Sequence, residues 1–197
     1  MTWQECKLAA LQKMFSAGNT IENDEATNDY LAAMPAAANE AINRIVATRP
    51  LRKSAELPAD GETRSFDISE VAYDFKNTGS LEVYFVGEDN LPLKIEGARV
   101  VAGKYLVLPQ ITETGTVLFF YDAKPNRITS STADTYKLPL DEDACSLIPI
   151  YIAGELYKDD DMQIATYYMN EFETGLYALV PTDSGVITDT FVSESGW

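Results

Sequence analysis

Apolar side chains recur along the chain at two different spacings, and the change from one to the other divides it. Residues 2–16 read as a short amphipathic helix, with Leu8, Leu11 and Phe15 at helical spacing and Trp3 and Cys6 nearby. Thr2 suits its N-cap, and Ala17-Gly18-Asn19 stops it. A second helix is expected to open at Asn23 or Asp24, whose side-chain oxygens suit an N-cap, with Glu25 in the first turn. Leu31, Met34, Ala38, Ala41, Ile42 and Ile45 give it one continuous stripe. Pro35 falls inside that stripe. It removes a donor and crowds the preceding turn, so the helix should kink at Met34 or break into two pieces. Residues 48–63 carry two prolines, a glycine and no period, and read as a linker.

Beyond the linker the residue types change. Residues 81–86, 98–101, 104–108 and 116–121 are short β-branched and aromatic runs. Turn signals separate them at Gly87-Glu88-Asp89-Asn90, Ala102-Gly103, Thr114-Gly115 and Lys124-Pro125-Asn126. Ala102-Gly103 marks a tight hairpin, and residues 65–75 and 127–131 are further strand candidates. This spacing predicts a small antiparallel sandwich or barrel over residues 64–138.

Helical patterning returns after Pro139. Residues 147–157 are almost all apolar and predict a central buried helix, with Pro149 tolerated in its first turn. Lys158-Asp159-Asp160-Asp161 ends it and caps the next. There Ile164, Tyr168, Phe172, Leu176 and Leu179 recur at steps of four and three until Pro181. The two form an antiparallel hairpin. The pattern therefore predicts an α+β protein in four parts: N-terminal helices over 1–50, an inserted antiparallel β-sandwich over 64–138, a C-terminal helix hairpin over 140–181, and an extended, strand-like arm over 182–197.

Composition narrows the chemistry. The 197 residues hold 15 Lys and Arg against 31 Asp and Glu, a formal charge of −16, and no histidine. That excludes Ser-His-Asp and Cys-His sites and imidazole metal ligands. It also argues against a surface that grips nucleic acid, which is bound by Lys and Arg neutralising phosphates. The charge is uneven: residues 141–197 hold one base, Lys158, against twelve acids. An apolar content of 46% with 11 Tyr and 8 Phe is ample for a core. Cys6 and Cys145 match no metal or redox spacing and read as reduced core thiols in a reducing compartment. No apolar run approaches the roughly 20 residues of a membrane span, and the acidic N-terminus does not read as a signal peptide. The expected site of synthesis is the cytosol.

Few motifs carry chemistry. Asp159, Asp160 and Asp161 supply hard oxygen ligands but lack the alternating spacing and glycine of a calcium loop, so a solvated helix-hairpin turn with Asp161 as N-cap is the reading taken. Glu88-Asp89-Asn90 reads as a turn. With 31 acids no local motif selects a catalytic pair, and there is no phosphate-binding glycine loop and no CxxC. Neither an enzyme nor a cofactor or metal site is expected. Among the β-module aromatics, Tyr84, Phe119 and Tyr121 are the first candidates for an exposed stacking face; Tyr167 and Tyr168 read as packing residues.

One resemblance organises these pieces. Residues 147–161 (LIPIYIAGELYKDDD), followed by 163–173 (QIATYYMNEFE), resemble the C-terminal helix pair of head-tail connector (neck adaptor) proteins of tailed bacteriophages, in which an apolar helix ends in an acidic turn and an A-x-Y-Y-x-x-x-[FY]-E helix follows. Residues 30–41 (YLAAMPAAANEA) are similar to the first helices of such adaptors, where small residues allow close packing. Together these segments lie in about half the chain. The β module departs from the smallest adaptors, which are almost wholly helical, and is expected to be an added outward-facing domain.

The resemblance implies a structural virion protein of the neck between capsid and tail. It would form a homo-oligomeric, dodecameric ring stacked under the portal protein and over a tail-side neck protein, with no membrane involved. DNA would pass through without specific binding, repelled by carboxylates. Leu147, Ile150, Ile152, Leu156, Tyr168 and Phe172 would form the core, and Phe191, Val192 and Trp197 of the arm would contact a neighbouring subunit or the portal. The alternative reading is a carbohydrate-binding accessory or tail-tip protein that uses Tyr84, Phe119 and Tyr121 of the sandwich.

Overall fold

The computed structural model describes residues 1–15, 18, 20–21, 25–76, 79–109 and 111–180. Helix α1 (Trp3–Met14) is opened by a reciprocal cap: the Thr2 hydroxyl accepts from the Glu5 amide at 3.3 Å, and the Glu5 carboxylate accepts from the Thr2 amide at 2.7 Å. That bonding holds the Glu5 carboxyl below the usual carboxylate range. The helix buries Trp3, Cys6, Ala10, Leu11 and Met14. Helix α2 (Glu25–Thr48) is one continuous helix with Pro35 inside it, which removes the second of the two expected alternatives, a break into two pieces. Asn39, one turn on, donates from its side chain to the Pro35 carbonyl at 2.7 Å and so engages the backbone beside the proline. Met34, Ala37, Ala38, Ala41, Ile42 and Ile45 are buried along α2. The proposed caps Asn23 and Asp24 lie outside the described residues.

The segment read as a linker is a strand. β1 (Arg52–Asp60) alternates exposed and covered positions and pairs along its whole length with β7 (Thr114–Asp122). Two features hid it. Its inward positions include small residues such as Ala55 and Ala59, and Pro58 breaks the strand signal but is tolerated because β1 is an edge strand, where a missing donor costs no ladder bond. The β module therefore opens at Arg52 rather than near residue 64.

The remaining strands are β2 (Ser65–Asp67), β3 (Leu81–Val86), β4 (Pro92–Lys94), β5 (Arg99–Val101) and β6 (Tyr105–Val107). They build two antiparallel sheets, ordered β1-β7-β3-β4 and β2-β6-β5. The sheets share one core, with Leu57, Val83, Phe85, Val117, Phe119 and Tyr121 from the first meeting Leu106 from the second. The β5–β6 hairpin turns tightly at Ala102 (φ 51°) and Gly103 (φ 71°), as expected for its place, with both residues in the left-handed region.

Residues 127–131 are not a strand. They belong to the return path from the sheet, which is pinned to the helices: Trp3 and Gln4 amides donate to the Tyr136 and Asp134 carbonyls at 2.8 and 3.0 Å. After the single turn α3 (Glu142–Cys145) comes α4 (Ile148–Leu156), with Pro149 in its first turn as expected and every residue from Ile148 to Gly154 buried. It packs against α1, α2 and α5 (Met162–Ala178). Gly154 and Gly175 let the hairpin close: a Cβ on Gly154 would meet Tyr168 and Met169 at 3.2 Å, and one on Gly175 would run into Leu147. The result is an α+β fold, a bundle of α1, α2, α4 and α5 carrying an antiparallel β unit between α2 and α3. No described helix is long and apolar enough to cross a membrane.

Candidate functional site

The hairpin turn that connects α4 to α5 is built by its three aspartates in different ways. Asp161 is extended and caps α5, its Oδ1 accepting from the amides of Gln163 at 2.8 Å and Ile164 at 3.2 Å. Asp160 accepts from the Tyr30 hydroxyl of α2 at 2.5 Å, and that bond pushes the Tyr30 phenol above its ordinary range. Asp159 is exposed. Among the described residues no group of three or more Cys, Asp or Glu side chains is placed to hold a metal ion.

The residues expected in the core are there. Ile152 and Phe172 are fully buried, Leu147 and Ile150 nearly so, and Leu156 and Tyr168 lie partly covered at the edge of the same cluster. Tyr168 and Tyr157 have a shared task that sequence reasoning missed. Their hydroxyls donate to the Lys13 carbonyl (2.6 Å) and the Met14 carbonyl, so the two rings, stacked at 6.2 Å, satisfy orphan acceptors at the C-terminal end of α1. Arg44 of α2 lies over the rings of Tyr151 and Phe172 at 5.6 and 5.4 Å while its guanidinium reaches Glu173. Burial, with Glu40 adding, pushes the Tyr151 phenol up.

The proposed stacking face does not exist as expected. Phe119 and Tyr121 are buried in the sandwich core, at 0% and 3% exposure. Register explains the error: Val83 stands opposite Phe119 and Leu118 opposite Tyr84, so Tyr84 points to the other face of the sheet. There it meets Phe120 edge-on at 5.9 Å, half-buried, and donates to Glu82 at 3.2 Å. Tyr121 is held within the module by Asp74, itself 5% exposed, which accepts from the Tyr121 hydroxyl at 2.9 Å and from the Lys53 ammonium at 2.5 Å. That bond raises the Lys53 pKa, and burial raises that of Tyr121.

The exposed aromatics are elsewhere. Tyr167 (65%) and Tyr177 (82%) stand on the outer side of α5, so the expectation that Tyr167 packs inward is corrected: only Tyr168 does. Their helical phase, away from the Tyr168–Phe172 stripe, was the available signal. Tyr105 is exposed on the β2-β6-β5 sheet under Lys104, whose Nζ lies 4.6 Å from the ring centre. A groove of about 840 Å³ runs between α1, α2 and the 129–134 loop, lined by Leu8, Leu31 and Pro35 together with Lys7, Thr129 and Asp134. The arm residues Phe191, Val192 and Trp197 lie outside the described residues. In comparisons with known proteins, no family model and no curated protein matches the chain.

Proposed function

We propose that the chain is a structural subunit of the neck of a tailed bacteriophage, a connector ring that joins portal to tail and continues the DNA channel. The observation that carries this reading is an acidic helical frame around an apolar core. Its α4–α5 hairpin closes on glycines, ends in Asp159-Asp160-Asp161 and belongs to a segment with one base against twelve acids. Carboxylates facing a channel repel the phosphate backbone, so DNA slides instead of sticking. The β unit is an appended module, and the arm beyond Val180 contacts a neighbouring subunit or the portal. The glycan-binding alternative keeps only Tyr84 of its three aromatics, because Phe119 and Tyr121 are core residues.

The test is association with the portal protein encoded in the same genome. The full chain should bind portal particles, and a chain lacking residues 186–197 should fold but not bind them. Unchanged docking by the truncated chain would remove the arm from the account, and no docking by the full chain would sink the neck reading. A gene lying between capsid and tail genes is the corresponding genomic expectation.

A further inference from the structure

Among the described residues the longest sheet edge is open. β1 borders the β1-β7-β3-β4 sheet and is nine residues long, against three each for β2, β4 and β5, the other strands at sheet edges. Very short edges resist pairing; a long one is a template for another strand. Two hydrogen bonds fix the way its backbone points. The Leu51 carbonyl accepts from the Ala123 amide at 2.7 Å, and the Ser80 carbonyl accepts from the Asp122 amide at 3.3 Å. With the register, these bonds turn the main-chain groups of Lys53, Ala55, Leu57 and Ala59 toward β7 and those of Arg52, Ser54, Glu56 and Pro58 outward. Pro58, with no amide to offer, falls in the outward row. Among the described residues nothing accepts from the amides of Arg52, Ser54 and Glu56. Beside them Leu51 and Ala55, at the fringe of the sandwich core, are only partly covered.

The helices bring a strand-forming segment to this edge. α2 and α5 run in one direction, tied at their starts by Tyr30 and Asp160 and toward their ends by Arg44 and Glu173. Both therefore stop at the end of the bundle that faces the β unit, α2 at Thr48 just before β1 and α5 at Ala178. Residues 181–197 follow, and 186–192 within them (VITDTFV) is rich in β-branched side chains and free of proline.

We infer that residues 186–192 add as a further strand to the outward edge of β1 in their own chain, parallel to it along Arg52–Pro58. Length sets the direction. Residues 181–185 span ~17 Å when extended, which reaches a neighbouring element but falls short of the ~30 Å needed to run along β1 and turn back. The segment thus enters beside Arg52 and runs as β1 runs. Tethering selects the copy: a short link gives the segment an effective concentration on the order of mM at its own edge, above that of a second chain in dilute solution. The amides of Ser54 and Glu56 then gain acceptors, and side chains of the added strand cover Ala55. The pairing stands on this edge and its neighbours; only an exchange of the segment onto the portal rests on the function proposed above.

Amide hydrogen exchange in the full chain, against the chain lacking residues 186–197, is the experiment. The Ser54 and Glu56 amides should exchange at least ~10-fold more slowly in the full chain, at a rate independent of protein concentration. Thr188→Pro in the full chain should abolish that protection, while the amides of α4 stay slow in all three proteins and report an intact frame. A nitroxide on Ser193→Cys, with the native Cys6 and Cys145 buried, should broaden the signals around Gly61 and leave those around Leu51 sharp. Equal exchange in the full and shortened chains, protection that fades on dilution and so belongs to a second copy, or broadening at Leu51 would each overturn the inference. Docking to the portal is scored separately: protected amides without docking refute the neck reading and keep the strand, and docking with unprotected amides does the reverse.

Discussion

The side chain of Asn39 pairs with both main-chain polar groups of Ile128, eighty-nine positions away. Its Oδ1 accepts from the Ile128 amide at 2.8 Å, and its Nδ2 donates to the Ile128 carbonyl at 2.7 Å and to the Pro35 carbonyl at the same distance. Ile128 is 1% exposed, so neither group has water to fall back on. One amide thus fastens the segment returning from the sheet onto α2.

Asn39→Ala should cost about 2–3 kcal/mol, because an unsatisfied buried donor or acceptor costs ~1–3 kcal/mol and part of the loss relaxes by local movement. Urea unfolding measures it, and amide exchange at Ile128 should accelerate before global opening. A change under half a kcal/mol would mean that the pairing is replaced by water.

At the β5–β6 turn, Ala102 holds a φ of 51°, a conformation unfavourable for alanine by roughly 1–2 kcal/mol. Ala102→Asn would create the Asn-Gly pair that favours this turn. It should raise the denaturation midpoint, with a gain of roughly 0.5–1 kcal/mol, since part of the alanine strain also applies to asparagine.

Gly115 is needed for a different reason. Its φ is ordinary, but a Cβ there would run into the Val86 carbonyl oxygen and the Phe85 ring. Backbone cannot move aside as a side-chain tip can. Gly115→Ala should therefore destabilise by about 1–3 kcal/mol, the usual range for overpacking, and lower the thermal midpoint.

In the turn after β1, Asp60 accepts from the Thr63 hydroxyl at 2.6 Å and from the Thr63 and Glu62 amides at 2.7 and 2.8 Å, which pull its pKa down to about 2. Because the folded-state value lies below the unfolded one, the carboxylate's contribution is complete above the ordinary carboxyl range and is lost as pH falls through about 2. Asp60→Asn should be less stable than the parent at neutral pH, and the gap should narrow as the pH approaches 2. A gap independent of pH would assign the effect to shape rather than charge.

The two thiols offer a check on the core itself. Cys6 and Cys145 are both 0% exposed in the helical cluster, and burial pushes both pKa values up, with Cys145 adding to the effect at Cys6. Neither should react with a thiol-specific chromogen in the native protein at neutral pH. Labelling should follow the rate of opening and become complete in denaturant.

Most of the helical frame was legible because its elements advertise themselves: an N-cap at Thr2, a nearly all-apolar run over residues 147–157, and aspartates before α5. Reading failed where one signal masked another. Pro35 left a kink or a break open, and the packed face of α2 keeps it in one helix, since Met34, Ala37, Ala38 and Ala41 bury the helix on both sides of the proline. Pro58 and Gly61 suggested a linker where partnership with β7 makes a strand. The faces of β3 and β7 required register, which two strands distant in sequence do not reveal. That is why Phe119 and Tyr121 read as outward-facing. Tyr167 is a different case, since its helical phase off the Tyr168–Phe172 stripe already marks it as exposed.

The Leu51 carbonyl accepts from the Ala123 amide at 2.7 Å, so the chain leaves and rejoins the helical frame at a single point. To the bundle, everything between those residues behaves as a loop already tied at its neck. Closing it adds little entropy cost that depends on its size. The β unit is in that sense a detachable head: it can be shortened, lengthened or exchanged for another fold with ends equally close, and the frame beneath would register only the knot.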